Sequence, residues 1–158
     1  ASAVKSRPAI VEALIQAGAD VDKADNDGAT ALIWASQNGH AAIVEALLQA
    51  GADVDKATNN GATALMMASS EGHAAIVEAL LQAGADVDKP ANNGATALIV
   101  ASQEGHAAIV EALLQAGVDI DKFNNTAGMN QGAAALMMAS GNGHNAVVKV
   151  LKKAGAKR

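Results

Sequence analysis

Four histidines, His40, His73, His106 and His144, are the side chains of this sequence best equipped for chemistry, since imidazole is both a metal ligand and a titratable base. Their spacing argues against it. The first three lie 33 residues apart and the last step is 38, so each belongs to a separate copy of a recurring element. Packed helices run roughly 8–10 Å apart, whereas ligand nitrogens must approach one ion to about 2 Å. The histidines therefore read as turn-stabilising residues of a repeat.

Asp20, Asp22, Asp25 and Asp27, followed by Gly28, have the acidic density of a calcium loop. The closing Glu is missing at the required spacing, and the copies dissolve the pattern: Asp25 becomes Thr58 and Ala91, and Asp27 becomes Asn60 and Asn93. Turn formation and solubility explain these residues better. Ser36, Ser69 and Ser102 fall on the interior pattern of the unit and recur with it, and no Gly-Lys-Ser or Gly-Lys-Thr marks a phosphate loop. With no cysteine, thiolate nucleophiles, thiolate metal sites and disulfides are excluded. The chain reads as non-enzymatic, with neither cofactor nor metal.

The element that places all these residues is a unit of 33. Lys23–Asp55, Lys56–Asp88 and Lys89–Asp121 agree almost letter for letter, and a period of this length marks stacked repeats. The expected organisation is one domain over 1–158: a partial unit at 1–22, internal units at 23–55, 56–88 and 89–121, and a last unit at 122–158 lengthened by five residues. The apolar fraction of 51% rests on Ala, Leu, Val and Ile, with Trp34 and Phe123 the aromatics, which suits thin helices packed through small side chains.

Charge narrows the partners. Lys149, Lys152, Lys153, Lys157 and Arg158 follow His144 without any acid, so six basic and sixteen acidic residues remain before them, ten net negatives. So acidic a body repels phosphate backbones, which argues against nucleic acid. No apolar run approaches the roughly 20 residues of a membrane-spanning helix, and no secretory leader is evident at the start. Membrane partners are not expected, and the compartment expected is cytoplasmic.

Within one unit, Thr30 caps a short helix carrying Ala31, Leu32, Ala35 and Ser36, and Gly39 ends it. The run AAIVEALLQAG then sets Ile43, Val44, Leu47 and Leu48 on one stripe, with Glu45 and Gln49 outward and Gly51 as C-terminal cap. The link ADVDKADNDG, rich in Asp, Asn and Gly, reads as an extended, hairpin-like connection.

Gly28-Ala29-Thr30-Ala31-Leu32, Gly39-His40, Ile43-Val44 and Leu47-Leu48-Gln49-Ala50-Gly51-Ala52-Asp53, recurring at constant spacing over nearly the whole chain, resemble the ankyrin repeat. The fold implied is all-α, a helix-turn-helix solenoid with projecting β-hairpin-like loops. One departure stands out: the family's Thr-Pro-Leu-His opening is here Thr30-Ala31-Leu32-Ile33, Thr63-Ala64-Leu65-Met66 and Thr96-Ala97-Leu98-Ile99. The family histidine ties neighbouring turns together, so its absence predicts adhesion resting more on apolar contacts.

Alignment of Arg7–Val11 with His40–Val44 places Ala1 inside a first helix, so the apolar stripe at this end is expected to be poorly covered. A monomer is expected, with head-to-tail stacking as the alternative. At the other end Lys149, Lys152 and Lys153 replace Glu, Leu and Gln, as a solvent-facing cap should. The extra residues fall between Lys122 and Gly132, within FNNTAGMNQ, and are expected to form a loop.

Stacking leaves few positions free to vary. They include Asp25, Thr58 and Ala91, and Asp27, Asn60 and Asn93, in the links. On the first helix they are Trp34, Met67, Val100 and Met138, and Gln37, Ser70 and Gln103. The resemblance implies that hairpin tips and the exposed face of the first helix form a concave surface gripping a protein partner. These residues, with Phe123 and Met129 of the insertion, are the candidate contacts. For the row from Trp34 to Met138, filling gaps between helices is an equal alternative, and Phe123 and Met129 could instead fold back on the last unit. The near-identity of the units also fits an engineered or consensus stability scaffold with no natural partner. An enzyme using the inserted loop and His144 is the least favoured reading.

Overall fold

A computed structural model describes residues 8–124 and 128–157. Ala1–Arg7, which would hold the partial first helix of the opening unit, and residues 125–127 of the insertion lie outside the described residues. Helix α1 spans Pro8–Gln16. Three pairs follow: α2 Ala31–Asn38 and α3 Ala41–Gln49, α4 Ala64–Glu71 and α5 Ala74–Gln82, α6 Ala97–Glu104 and α7 Ala107–Gln115. Strands β1 Phe123–Asn124 and β2 Met129–Asn130 then precede α8 Gln131–Gly141 and α9 Asn145–Lys153.

Each first helix of an internal pair begins where its sequence says it should. The hydroxyls of Thr30, Thr63 and Thr96 accept from the backbone N–H of Ile33, Met66 and Ile99, each at 3.3 Å, a cap contributing about 1 kcal/mol. Gly72 closes α4 with φ +84, and a Cβ there would stand 2.8 Å from Cε1 of His106 in the next unit. Glycine is required twice over, by its left-handed backbone and by the ring beside it.

First helices stack on first helices, α2 on α4 on α6 on α8, and second helices run α1, α3, α5, α7, α9. One continuous core follows from this order, with Leu65, Ala68, Val77 and Leu80 and their equivalents buried in each internal unit. Ala35, Ala68, Ala101 and Ala139 are fully buried, so the first helices approach each other across methyl groups. At the start of the array Ile10 and Leu14 are 51% and 56% exposed, whereas their equivalents Ile43 and Leu47 are 7% and 2% exposed. The described residues leave that stripe uncovered.

The internal links form turns closed by backbone bonds from Asp25 N to Ala29 O at 2.9 Å and from Thr58 N to Ala62 O at 2.9 Å, with Gly28 N and Gly61 N bonding back to Asp25 O and Thr58 O. Paired strands occur, among the described residues, in the last unit alone, where Phe123 faces Asn130 and Asn124 faces Met129 in antiparallel register. Here the expectation of a loop needs correction. By the repeat alignment Ala134 takes the place of the capping Thr96, yet α8 starts at Gln131, capped by the Asn130 side chain accepting from Ala133 N at 2.8 Å. Part of the insertion thus becomes an extra helical turn, because Asn130 supplies the cap that Ala134 cannot.

Candidate functional site

The histidines bind neighbouring units together. His73 Nε2 lies 3.1 Å from the Gln37 carbonyl, His106 Nε2 3.0 Å from that of Ser70, and His144 Nε2 2.9 Å from that of Gln103. A carbonyl only accepts, so each imidazole donates from Nε2. Each ring also opens a second helix, His73 preceding α5 and His106 preceding α7. Among the described residues no three His, Cys, Asp or Glu side chains converge on a metal position.

The expected reliance on apolar adhesion is overturned by a second, denser ladder. The Asp22 carboxylate accepts from Asp53 N at 2.8 Å, that of Asp55 from Asp86 N at 2.8 Å and that of Asp88 from Asp119 N at 3.0 Å. The Lys56 ammonium donates to Asp22 O at 2.7 Å and Lys89 to Asp55 O at 2.6 Å. Asn59 and Asn92 donate from backbone N–H to Asp27 O and Asn60 O, and from side-chain amides to Asn26 O and Asn59 O. Losing the opening histidine removes one cross-link where Asp-Val-Asp-Lys and Asn supply several. That ladder was read from sequence as turn formation alone; its signal was the constancy of Asp22, Asp55, Asp88, Lys56 and Lys89 at one spacing.

Several link residues turn a polar atom onto the backbone of their own turn. Asp25 Oδ1 accepts from Asp27 N and Ala29 N, both at 2.9 Å, Thr58 Oγ1 from Ala62 N at 3.1 Å, and Asn93 Oδ1 from Ala95 N at 3.0 Å. Asp25, Asp27, Asn60 and Asn93 are exposed, while Thr58 and Ala91 are partly buried. These atoms build the turns; the carboxylate charges of Asp25 and Asp27 remain in solvent.

On the first helices Trp34 is 48% exposed, its ring centroid 5.2 Å from that of His40. Met67, Val100 and Met138 are partly buried, and Met67 and Met138 pack against the core. Gln37 and Gln103 are exposed and Ser70 partly so, with their carbonyls already engaged by the histidines. Glu71 and Glu104 end α4 and α6 in solvent.

The insertion divides its residues. Phe123 is 68% exposed at the mouth of a small cleft of about 100 Å³ shared with Pro90, Ala91 and Asn92, whereas Met129 is partly buried against the core. Two polar residues overlooked in the sequence are buried here. Asn124 donates to the Gly94 carbonyl. Gln131 accepts from the Thr96 hydroxyl at 2.9 Å and donates to Asp88 Oδ1 at 2.7 Å and Asp119 O at 2.6 Å.

Paired short helices, stacked in one dimension and laced through their connecting turns, define a helix-turn-helix repeat solenoid. The chain belongs to the ankyrin-repeat family: a family model of three ankyrin repeats matches it at residues 1–91, 54–124 and 86–157. No curated protein matches the chain. Ankyrin repeats are in general protein-interaction modules. Among the described residues no helix is long and apolar enough to cross a membrane.

Proposed function

We propose that this chain is a non-catalytic recognition module for a protein partner, a single domain of one partial and four full units acting as a cytoplasmic monomer. The observation that carries the reading is the division of labour within each unit. Many residues constant at the 33-residue spacing are engaged in capping, stacking or cross-linking, as His106, Asp55 and Thr63 are, while Trp34, Gln37, Gln103 and Asn60 vary and stand in solvent. Free to vary without loosening the stack, such positions can be spent on recognition.

Trp34, Met67, Val100 and Met138 supply the apolar centre of the contact, since aromatic and Met side chains suit adaptable interfaces. Gln37, Ser70 and Gln103 flank it, with Asp25, Asp27, Thr58, Asn60, Ala91, Asn93 and Phe123 contributing from the links. The carboxylates of Asp25, Asp27, Glu71 and Glu104 favour a partner with basic groups facing them. Binding should therefore weaken with Trp34→Ala and with salt, while thermal unfolding stays put. A partner held equally by the wild type and by Trp34→Ala/Met67→Ala would remove this surface from consideration.

A second reading, an engineered or consensus scaffold without a natural partner, is favoured by the near-identity of the three internal units. Capture experiments that recover no specific partner, together with high thermal stability, would support it.

A further inference from the structure

Asparagine before glycine is prone to lose its amide, because glycine has no side chain to hinder its backbone nitrogen from attacking the asparagine Cγ. The chain has four such pairs, Asn38-Gly39, Asn60-Gly61, Asn93-Gly94 and Asn142-Gly143. Attack needs a carboxamide free to turn and a glycine N–H within reach of solvent. Three of the carboxamides are held. Asn38 Nδ2 donates to Trp34 O at 2.8 Å, and Asn142 Nδ2 to Met138 O at 3.1 Å and Gln103 O at 3.3 Å. Asn93 Oδ1 accepts from Ala95 N at 3.0 Å, and Gly94 is buried, its carbonyl accepting from Asn124.

Asn60 differs on both counts. Its side chain is exposed and makes no hydrogen bond among the described residues, and Gly61 is only partly buried. The cause lies two residues earlier. Thr58 Oγ1 accepts from Ala62 N at 3.1 Å, whereas its equivalent Ala91 has no oxygen to offer and leaves the matching amide of Ala95 to Asn93. One difference between units thus frees one carboxamide and pins the other. The bond from Gly61 N to Thr58 O at 2.8 Å must open first, and an exposed link opens locally at low cost.

We infer that Asn60 is a site of covalent self-modification, deamidating through a succinimide faster than any other Asn-Gly pair because the fold leaves its carboxamide free. Gly61 N passes its proton to solvent and attacks Asn60 Cγ. The bond from Cγ to Nδ2 breaks, and Nδ2 takes a proton back and leaves as ammonia. Water then opens the ring, at Cγ to give aspartate or at the Asn60 main-chain carbonyl carbon to give isoaspartate. The sum consumes one water and releases one ammonia.

The stack receives the two products differently. Aspartate already stands at this register as Asp27, whose carbonyl accepts from Asn59 N at 2.9 Å as the Asn60 carbonyl does from Asn92 N at 3.0 Å. Isoaspartate inserts a methylene into the main chain and displaces that rung. On the recognition reading above, which the reaction itself does not require, the aspartate adds a carboxylate next along the row from Asp27.

The test keeps the folded full chain in mildly alkaline buffer, then digests it and locates aspartate and isoaspartate by mass spectrometry with electron-transfer fragmentation. Expected is loss of the Asn60 amide several-fold ahead of Asn38, Asn93 and Asn142, with the four rates drawing together in concentrated urea. Thr58→Ala should slow Asn60 several-fold, since Ala62 N then turns to Asn60 Oδ1 as Ala95 N does to Asn93. The comparison of folded chain with urea uses no variant and stands even if Thr58→Ala loosens the link. Asn93 reacting as fast as Asn60 in the folded chain, or the same preference persisting in urea, would overturn the inference. So would an unslowed Asn60 in a Thr58→Ala chain of unchanged unfolding temperature. None of these outcomes bears on partner binding, so failure here leaves the proposed function standing.

Discussion

The His106 imidazole donates from Nε2 to the Ser70 carbonyl at 3.0 Å and fills the space a Cβ on Gly72 would occupy. Gly-His is therefore one contact written in two consecutive units. Replacing Gly72 by Ala should destabilise the chain by more than about 1 kcal/mol, since φ is positive there, and His106→Ala by about 1 kcal/mol through the lost hydrogen bond. The double variant should cost less than the sum, because removing the ring relieves the clash. Urea unfolding of the three variants measures the coupling.

Ser36, Ser69 and Ser102 are fully buried, and their hydroxyls have no hydrogen-bond partner. Polarity at these positions is a cost the stack carries. Ser69→Ala should stabilise the protein by about 1 kcal/mol, the desolvation penalty recovered. A raised urea midpoint at unchanged slope would bear this out; a lowered midpoint would show that the hydroxyl is satisfied in solution.

The Asp55 carboxylate offers an oxygen to the next unit, accepting from Asp86 N at 2.8 Å. Asp55→Asn keeps that acceptor and should change stability by less than about 0.5 kcal/mol, whereas Asp55→Ala should cost about 1 kcal/mol. Equal losses in the two variants would mean that the carboxylate charge carries the contact.

Gln131 ties the last unit to the two before it, through Thr96 and the Asp119 carbonyl of one and Asp88 at the end of the other. Its removal in Gln131→Ala leaves buried polar groups unpaired, at a cost of about 2 kcal/mol. Because most contacts of a stacked array run between adjoining units, hydrogen exchange should quicken at the amides of Gln131 and Gly132, which bond Lys122 O and Ile120 O, and stay unchanged across α4 and α5.

Local features of the fold were open to reading from the residues alone. Thr30 before a helix and Gly39 after it are signals confined to a few neighbouring positions, and the cap bonds match them. The contacts between units were not, since Asp22 and Asp53 or Ser70 and His106 stand 31 and 36 residues apart and meet only once the stack exists. The Thr-Ala-Leu opening suggested a weakened polar network because the compensating Asp and Lys looked like turn residues. Met137, the equivalent of the buried Ile99, is 39% exposed, since among the described residues no further helix packs over its face of α8. Gln131 seemed loop-like until Asn130 began the helix early.

The central claim, that the variable first-helix face recognises a protein while the constant residues hold the stack, is tested most directly by affinity capture with the wild-type chain beside Trp34→Ala/Met67→Ala, followed by titration of whatever the wild type retains. The account predicts a partner bound by the wild type and weakened at least about tenfold by the double substitution, with both proteins unfolding at closely similar temperatures. A partner bound equally by both, or none recovered by either, would contradict it.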